Sequence, residues 1–155
     1  LSYTFERGGI HFVVVYSKYN ESLNDPAQPL TENALRFVRV SLSKLRDGAP
    51  AIIATHLCYD AMTNRDALID ALGDANVLAI LGGHYHKAKV DRHRGHSFIQ
   101  LPSPAPGSPN DFTVIRIDSS RILAIPFDYQ QKQWSGNPRT RLELHFQQKE
   151  LAPAQ

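Results

Sequence analysis

A chain of 155 residues with 42% apolar side chains points to one globular domain with no room for a second, and at that size folding buries roughly 68–70% of the unfolded surface. Its single cysteine, Cys58, excludes an intrachain disulfide framework. A net charge of +2 and a pI near 8.8 are too mild to point to nucleic acid or an anionic membrane. The longest apolar runs, 12–16 and 77–81, fall far short of the ~20 residues of a membrane helix, so a soluble chain is expected.

In chain order, residues 1–5 and 10–16, split by Arg7-Gly8-Gly9, predict a hairpin whose second strand is buried on both faces. Residues 20–29 read as a loop. Leu35, Val38, Leu42 and Leu45 recur at helical spacing and predict a helix over 32–45, with Thr31 as its N-cap. Residues 51–55 form a short apolar run after Pro50, the pattern of a central strand, and the run ends at His56. Thr63 and Asp66 read as a capping box opening a helix through Leu72, which Gly73 closes. Residues 77–81 predict a second buried strand, ending in Gly82-Gly83-His84-Tyr85-His86. Short strands follow at 87–92, 97–100, 112–117 and 122–127, interrupted by an ordered loop, 101–110, that holds Pro102, Pro104, Pro106 and Pro109. Residues 1–129 thus make the folded part, and 130–155 are a polar tail whose Leu142-Leu144-Phe146 alternation offers an edge strand.

Ligands of open α/β sheets bind at the carboxyl ends of strands, and both buried strands end in histidine. If the two lie parallel and adjacent, His56 and the His84/His86 pair emerge at one edge. Neutral imidazole is the commonest metal ligand, and in extended backbone residues i and i+2 point to the same side. Gly82 and Gly83 give the chain freedom to turn there. The tripeptide alone reads as a surface or hydrogen-bonded pair before it reads as a metal site; the third histidine makes His56, His84 and His86 candidate metal ligands. His11 opens a strand, and His93, His96 and His145 read as solvated, with His96 in reserve as a ligand. Cys58 reads as a small buried side chain, since nothing near it in sequence except a metal would lower its pKa.

Thr55-His56 after one apolar strand and Gly82-Gly83-His84-Tyr85-His86 after another resemble the last two metal motifs of the calcineurin-like metallophosphoesterases. The segment Tyr3-Thr4-Phe5-Glu6-Arg7-Gly8-Gly9-Ile10-His11-Phe12 resembles the stretch just past that family's Asn-His-Asp/Glu motif. The resemblance covers roughly residues 1–127, with Gly-His-x-His its most specific element. It implies an α/β (α+β) fold, a sandwich of two mixed sheets flanked by helices, of which this chain is the C-terminal half. It also implies a dinuclear centre of two divalent ions (Mn, Fe or Zn) at which a metal-bound hydroxide hydrolyses a phosphate ester, with His56 and His84 on one ion and His86 on the other. Tyr85, between the ligands, is either a substrate-binding residue or a ring packed under the site. The family opens with Asp-x-His, Gly-Asp-x-x-Asp and Gly-Asn-His-Asp/Glu, and that set is missing from this sequence. With Leu at position 1 and Met62 the only methionine, the expectation is that an upstream segment of the same protein supplies those ligands and the leaving-group histidine. No catalytic residue is then identified here, and the chain alone is expected to be inactive. Asp60, Asp66, Asp74 and Asp111 are the possible local carboxylate substitutes. A reading from another class is a non-catalytic scaffold or interaction module with the same fold and an incomplete metal site.

Overall fold

The computed structural model describes residues 1–20, 26–102, 112–128, 131–134, 136 and 141–145. Most of the proline-rich stretch, with Pro104, Pro106 and Pro109, lies outside the described residues, as do Asp111 and Phe146.

The hairpin forms as expected. β1 (Tyr3–Arg7) and β2 (Ile10–Val15) pair antiparallel with Arg7 opposite Ile10. Gly8 and Gly9 between them both take positive φ, 59° and 75°, the two-residue loop whose twist matches its strands. Every residue of β1 is exposed, and Phe5 stacks on Phe12 with ring centres 4.7 Å apart.

β2 continues parallel to β3 (Ala51–Leu57), and β3 to β4 (Val77–Gly83). β6 (His96–Gln100) follows parallel to β4, and β5 (Lys89–His93) closes the edge antiparallel to β6. The first sheet is therefore mixed, in the order β1-β2-β3-β4-β6-β5. A second sheet contains β7 (Phe112–Ile117), β8 (Arg121–Asp128), β9 (Gln133–Trp134) and β10 (Leu142–His145). β10 and β7 flank β8, which also pairs with β9. Two mixed sheets are expected from the family resemblance, but all described pairings of the second are antiparallel. The architecture is α+β.

The first sheet is covered on both faces, which is why its central strands are unbroken apolar runs. On one side Val13, Ile53, Ile80 and Phe98 pack with Leu35, Val38 and Leu42 of α1 (Glu32–Leu42) and Leu68 and Leu72 of α2 (Arg65–Leu72). On the other, Ile52, Leu81 and Ile99 meet Ile122 and Leu144 of the second sheet. Adjacent residues Ile52 and Ile53 thus enter opposite cores, both fully buried. At ~25 cal/mol per Å² of apolar surface, each such side chain contributes about 1.5–3 kcal/mol.

Two helix boundaries differ from expectation. Thr31 does cap α1, its Oγ1 accepting from Ala34 N at 3.2 Å, but the helix stops at Leu42 rather than residue 45. There Leu45 N–H donates to Leu42 O, an i to i+3 bond that tightens the last turn, while Leu45 stays packed on the core. For α2 the N-cap is Asn64 and not Thr63. The Asn64 amide is committed to Leu30, accepting from its N–H at 2.8 Å and donating to its carbonyl at 2.9 Å. Thr63 is held by its backbone, whose N–H donates to Gln28 O.

Candidate functional site

β3 and β4 are adjacent and parallel, so their carboxyl ends share one edge of the first sheet. The pairs Ala54 with Leu81 and Leu57 with Gly83 enclose one more residue on β3 than on β4. This bulge falls at Thr55 and His56, and a bulge re-aims the side chains it carries; His56 emerges exposed.

The expected extended His-x-His is not what forms. His84 takes φ 77° and His86 φ 56°, and Tyr85 N–H donates to Gly83 O at 3.1 Å. Gly83, His84 and Tyr85 therefore make a γ-turn with its central residue at positive φ, a rare and strained form. Tyr85 packs against the helix-side core and meets the His84 ring edge to face, ring centres 4.9 Å apart, while His84 also faces His56. Neither Gly82 nor Gly83 supplies the bend. Gly82 is small for another reason, since a Cβ there would lie 2.8 Å from Cys58 Cβ.

His56 Nε2 and His84 Nδ1 are 3.1 Å apart, with the two rings near perpendicular at 87°. Burial, followed by the nearby charges of His56 and His86, lowers the pKa of His84 against an opposing backbone hydrogen bond with Pro26, which favours the neutral ring that a metal ligand needs. His86 is exposed and lines the same cavity of about 390 Å³ as Ala54, Thr55, His56, Gly83 and His84. Thr55 is 9% exposed, and its Oγ1 is buried with no hydrogen-bond partner among the described residues; a buried polar atom of this kind is normally satisfied by water, an ion or a ligand.

Two nitrogens bound at 2.0–2.1 Å to one tetrahedral ion lie about 3.3 Å apart, so the His56–His84 spacing fits two ligands of a single cation. It fits two and no more: among the described residues no group of three or more His, Cys, Asp and Glu side chains could hold a metal ion. Asp60 pairs with Lys89, Asp66 with His93 and Arg94, and Asp74 lines a different cavity, with Arg39 and Arg46. One Asp-x-His tripeptide does occur, Asp91-Arg92-His93. It lies in β5, two strands away from β4, and is occupied by Lys89 and Asp66. His96 begins β6 while Gln100 ends it beside Gly82, which puts His96 at the opposite edge of the sheet. Cys58 is fully buried, and its thiol is pushed up to about 12, chiefly by burial.

Sequence reasoning missed Tyr19. Its ring centre lies 4.7 Å from that of His84 and 5.4 Å from that of His56. Tyr19 sits in a segment without periodicity, so no local signal marks it; only the meeting of β2's exit with the ends of β3 and β4 does.

No protein-family model matches the chain, and no curated protein does. Among solved structures it is similar to GAP50, the anchor in the inner membrane complex of Plasmodium, with 15% identity and a TM-score of 0.59 over 97% of this chain and 55% of that one. A candidate 5'-nucleotidase from Staphylococcus aureus, in complex with alpha-ketoglutarate, matches at 10% identity and a TM-score of 0.46, over 91% of this chain and 29% of that one. The chain thus spans little more than half of the first structure and under a third of the second. At 15% identity, the likeness to GAP50 is one of fold.

Proposed function

We propose that this chain carries the imidazole side of a divalent-metal phosphoesterase site. The observation that supports it is the His56–His84 pair, with nitrogens 3.1 Å apart at the shared carboxyl edge of two parallel strands. On this reading residues 1–129 are the C-terminal part of a metallophosphoesterase-like domain, and 130–155 a tail that contributes the edge strand β10 to its second sheet. His56 and His84 hold one ion (Mn, Fe or Zn) and His86 a second, the carboxylate ligands coming from an upstream segment of the same protein. Bound divalent cations would neutralise the phosphoryl oxygens and make an attacking water more acidic. The residues here bring two ring nitrogens within 3.1 Å of each other, with Tyr85 packed beside them against the helix-side core.

A second reading, a non-catalytic scaffold, is favoured by the donor set among the described residues, which stops short of three, and by the fold likeness to a protein described as an anchor. Calorimetric titration of the purified chain with Mn²⁺ or Zn²⁺ separates the two. The phosphoesterase reading expects one equivalent bound and no more, lost in His56→Ala and in His84→Ala, with no turnover of an aryl phosphate by this chain alone, because two cations without a bridging carboxylate repel each other. No binding by the parent chain, or binding that neither substitution weakens, would overturn it in favour of the scaffold.

A further inference from the structure

Tyr19 belongs to no strand or helix, yet its ring touches both imidazoles, meeting His84 edge to face at 66° and His56 at 52°. The segment that carries it is not left loose. Asn20, the next residue, is gripped at both backbone groups by one side chain: its N–H donates to Gln28 Oε1 at 3.0 Å, and its carbonyl accepts from Gln28 Nε2 at 2.8 Å. Gln28 is 6% exposed and is itself fastened through its backbone, donating from N–H to Ala61 O and accepting from Thr63 N–H. A buried polar side chain must spend its hydrogen bonds somewhere, and this one spends them on the residue beside Tyr19. The exposed His56 has no core to orient it, so its ring direction depends on what stands next to it.

We propose that Tyr19 is a positioning residue that holds the His56 and His84 rings in their perpendicular arrangement for one divalent cation, with Gln28 as the clamp on the segment that carries it. The proposal rests on the reading of this pair as ligands. Ordering of ligand rings by groups that do not touch the metal is worth about 10–100-fold in metal affinity.

The test uses the full chain with Co²⁺ as the probe, followed by calorimetry and by visible absorption, together with long-range ¹⁵N–¹H imidazole spectra of the metal-free chain at one fixed pH. Tyr19→Phe, which keeps the ring, is expected to bind Co²⁺ as the parent chain does. Tyr19→Ala is expected to lose about 10–100-fold in affinity, and its His56 and His84 ring nitrogens to move toward the averaged signals of freely exchanging tautomers. Gln28→Ala is expected to follow Tyr19→Ala, and should it fail to fold, the Tyr19 pair decides alone. The proposal fails if Tyr19→Ala binds Co²⁺ like the parent with its ring signals unmoved, or if Tyr19→Phe falls as far as Tyr19→Ala. A failure of the ligand reading looks different: the parent chain then binds no Co²⁺, or binds it equally in His56→Ala and His84→Ala, while the metal-free spectra still decide whether Tyr19 orders the rings.

Discussion

Holding a non-glycine residue at φ 77° costs on the order of 1–3 kcal/mol, and such strain persists where the surroundings over-determine it. At His84 the surroundings are the rings of Tyr85 and Tyr19, both packed against the helix-side core, and the ring of His56. On the proposed reading, His56→Ala and His84→Ala in the intact protein each empty the same metal position, and His86→Ala empties the other, with turnover lost in all three. Metal stoichiometry with anomalous diffraction on each variant checks this; depletion of one shared position by His84→Ala and His86→Ala would reassign the tripeptide to a single ion. The meeting of His56 with His84 is legible in the sequence, because two apolar runs of strand length each end in histidine. The turn is not. Gly82-Gly83 advertises the bend one residue early, and Gly82 is in fact required by the close approach of Cys58, a contact between residues 24 positions apart that no local pattern records.

At the scale of elements, β3 and β4 follow from their composition: runs such as Ile52-Ile53 and Ala79-Ile80-Leu81 lack polar alternation because both faces are covered. The second sheet is legible in β7, where exposed and half-buried residues alternate strictly. Capping is where local pattern and tertiary structure part. Thr63 and Asp66 have the spacing of a capping box, but the Asn64 amide forms two bonds to the Leu30 backbone that only the folded chain offers. Asn64→Ala leaves both Leu30 groups without those partners and is expected to cost about 1–3 kcal/mol. Thr31→Ala removes one capping bond and is expected to cost about 1 kcal/mol. Urea unfolding of the two variants compares them; a Thr63→Ala loss larger than that of Asn64→Ala would restore the capping box.

At the scale of the whole molecule, one mixed sheet serves two cores, helices on one face and the antiparallel sheet on the other, and the site stands at the edge where β3 and β4 leave both. Stability is expected to depend on pH through imidazoles held inside this arrangement. Burial, and behind it the charge of Arg94, lowers His96 below its ordinary 6.5. The unfolded chain therefore takes up a proton before the folded one does. Stability is full above about 6.5 and falls as the pH drops from there toward the folded value; His84, lowered as well, acts in the same direction. Urea midpoints at pH 7.5 and 5.5 should show the fall, and His96→Gln should lessen it. Equal midpoints for the parent chain at the two pH values would contradict this.

Cys58 follows directly on β3, lies against Gly82 of β4, and is the chain's single thiol, fully buried and protonated. It is thereby a built-in clock. A disulfide reagent reaches it only when the ends of β3 and β4 come apart, so its labelling rate in native buffer counts how often the root of the His56–His84 pair opens. That rate is expected to lie orders of magnitude below the rate for the unfolded chain, and to rise with urea in step with global unfolding, as for groups that only the whole-core opening exposes. Prompt labelling in native buffer would mean that the two strand ends part on their own while the rest of the core stays closed.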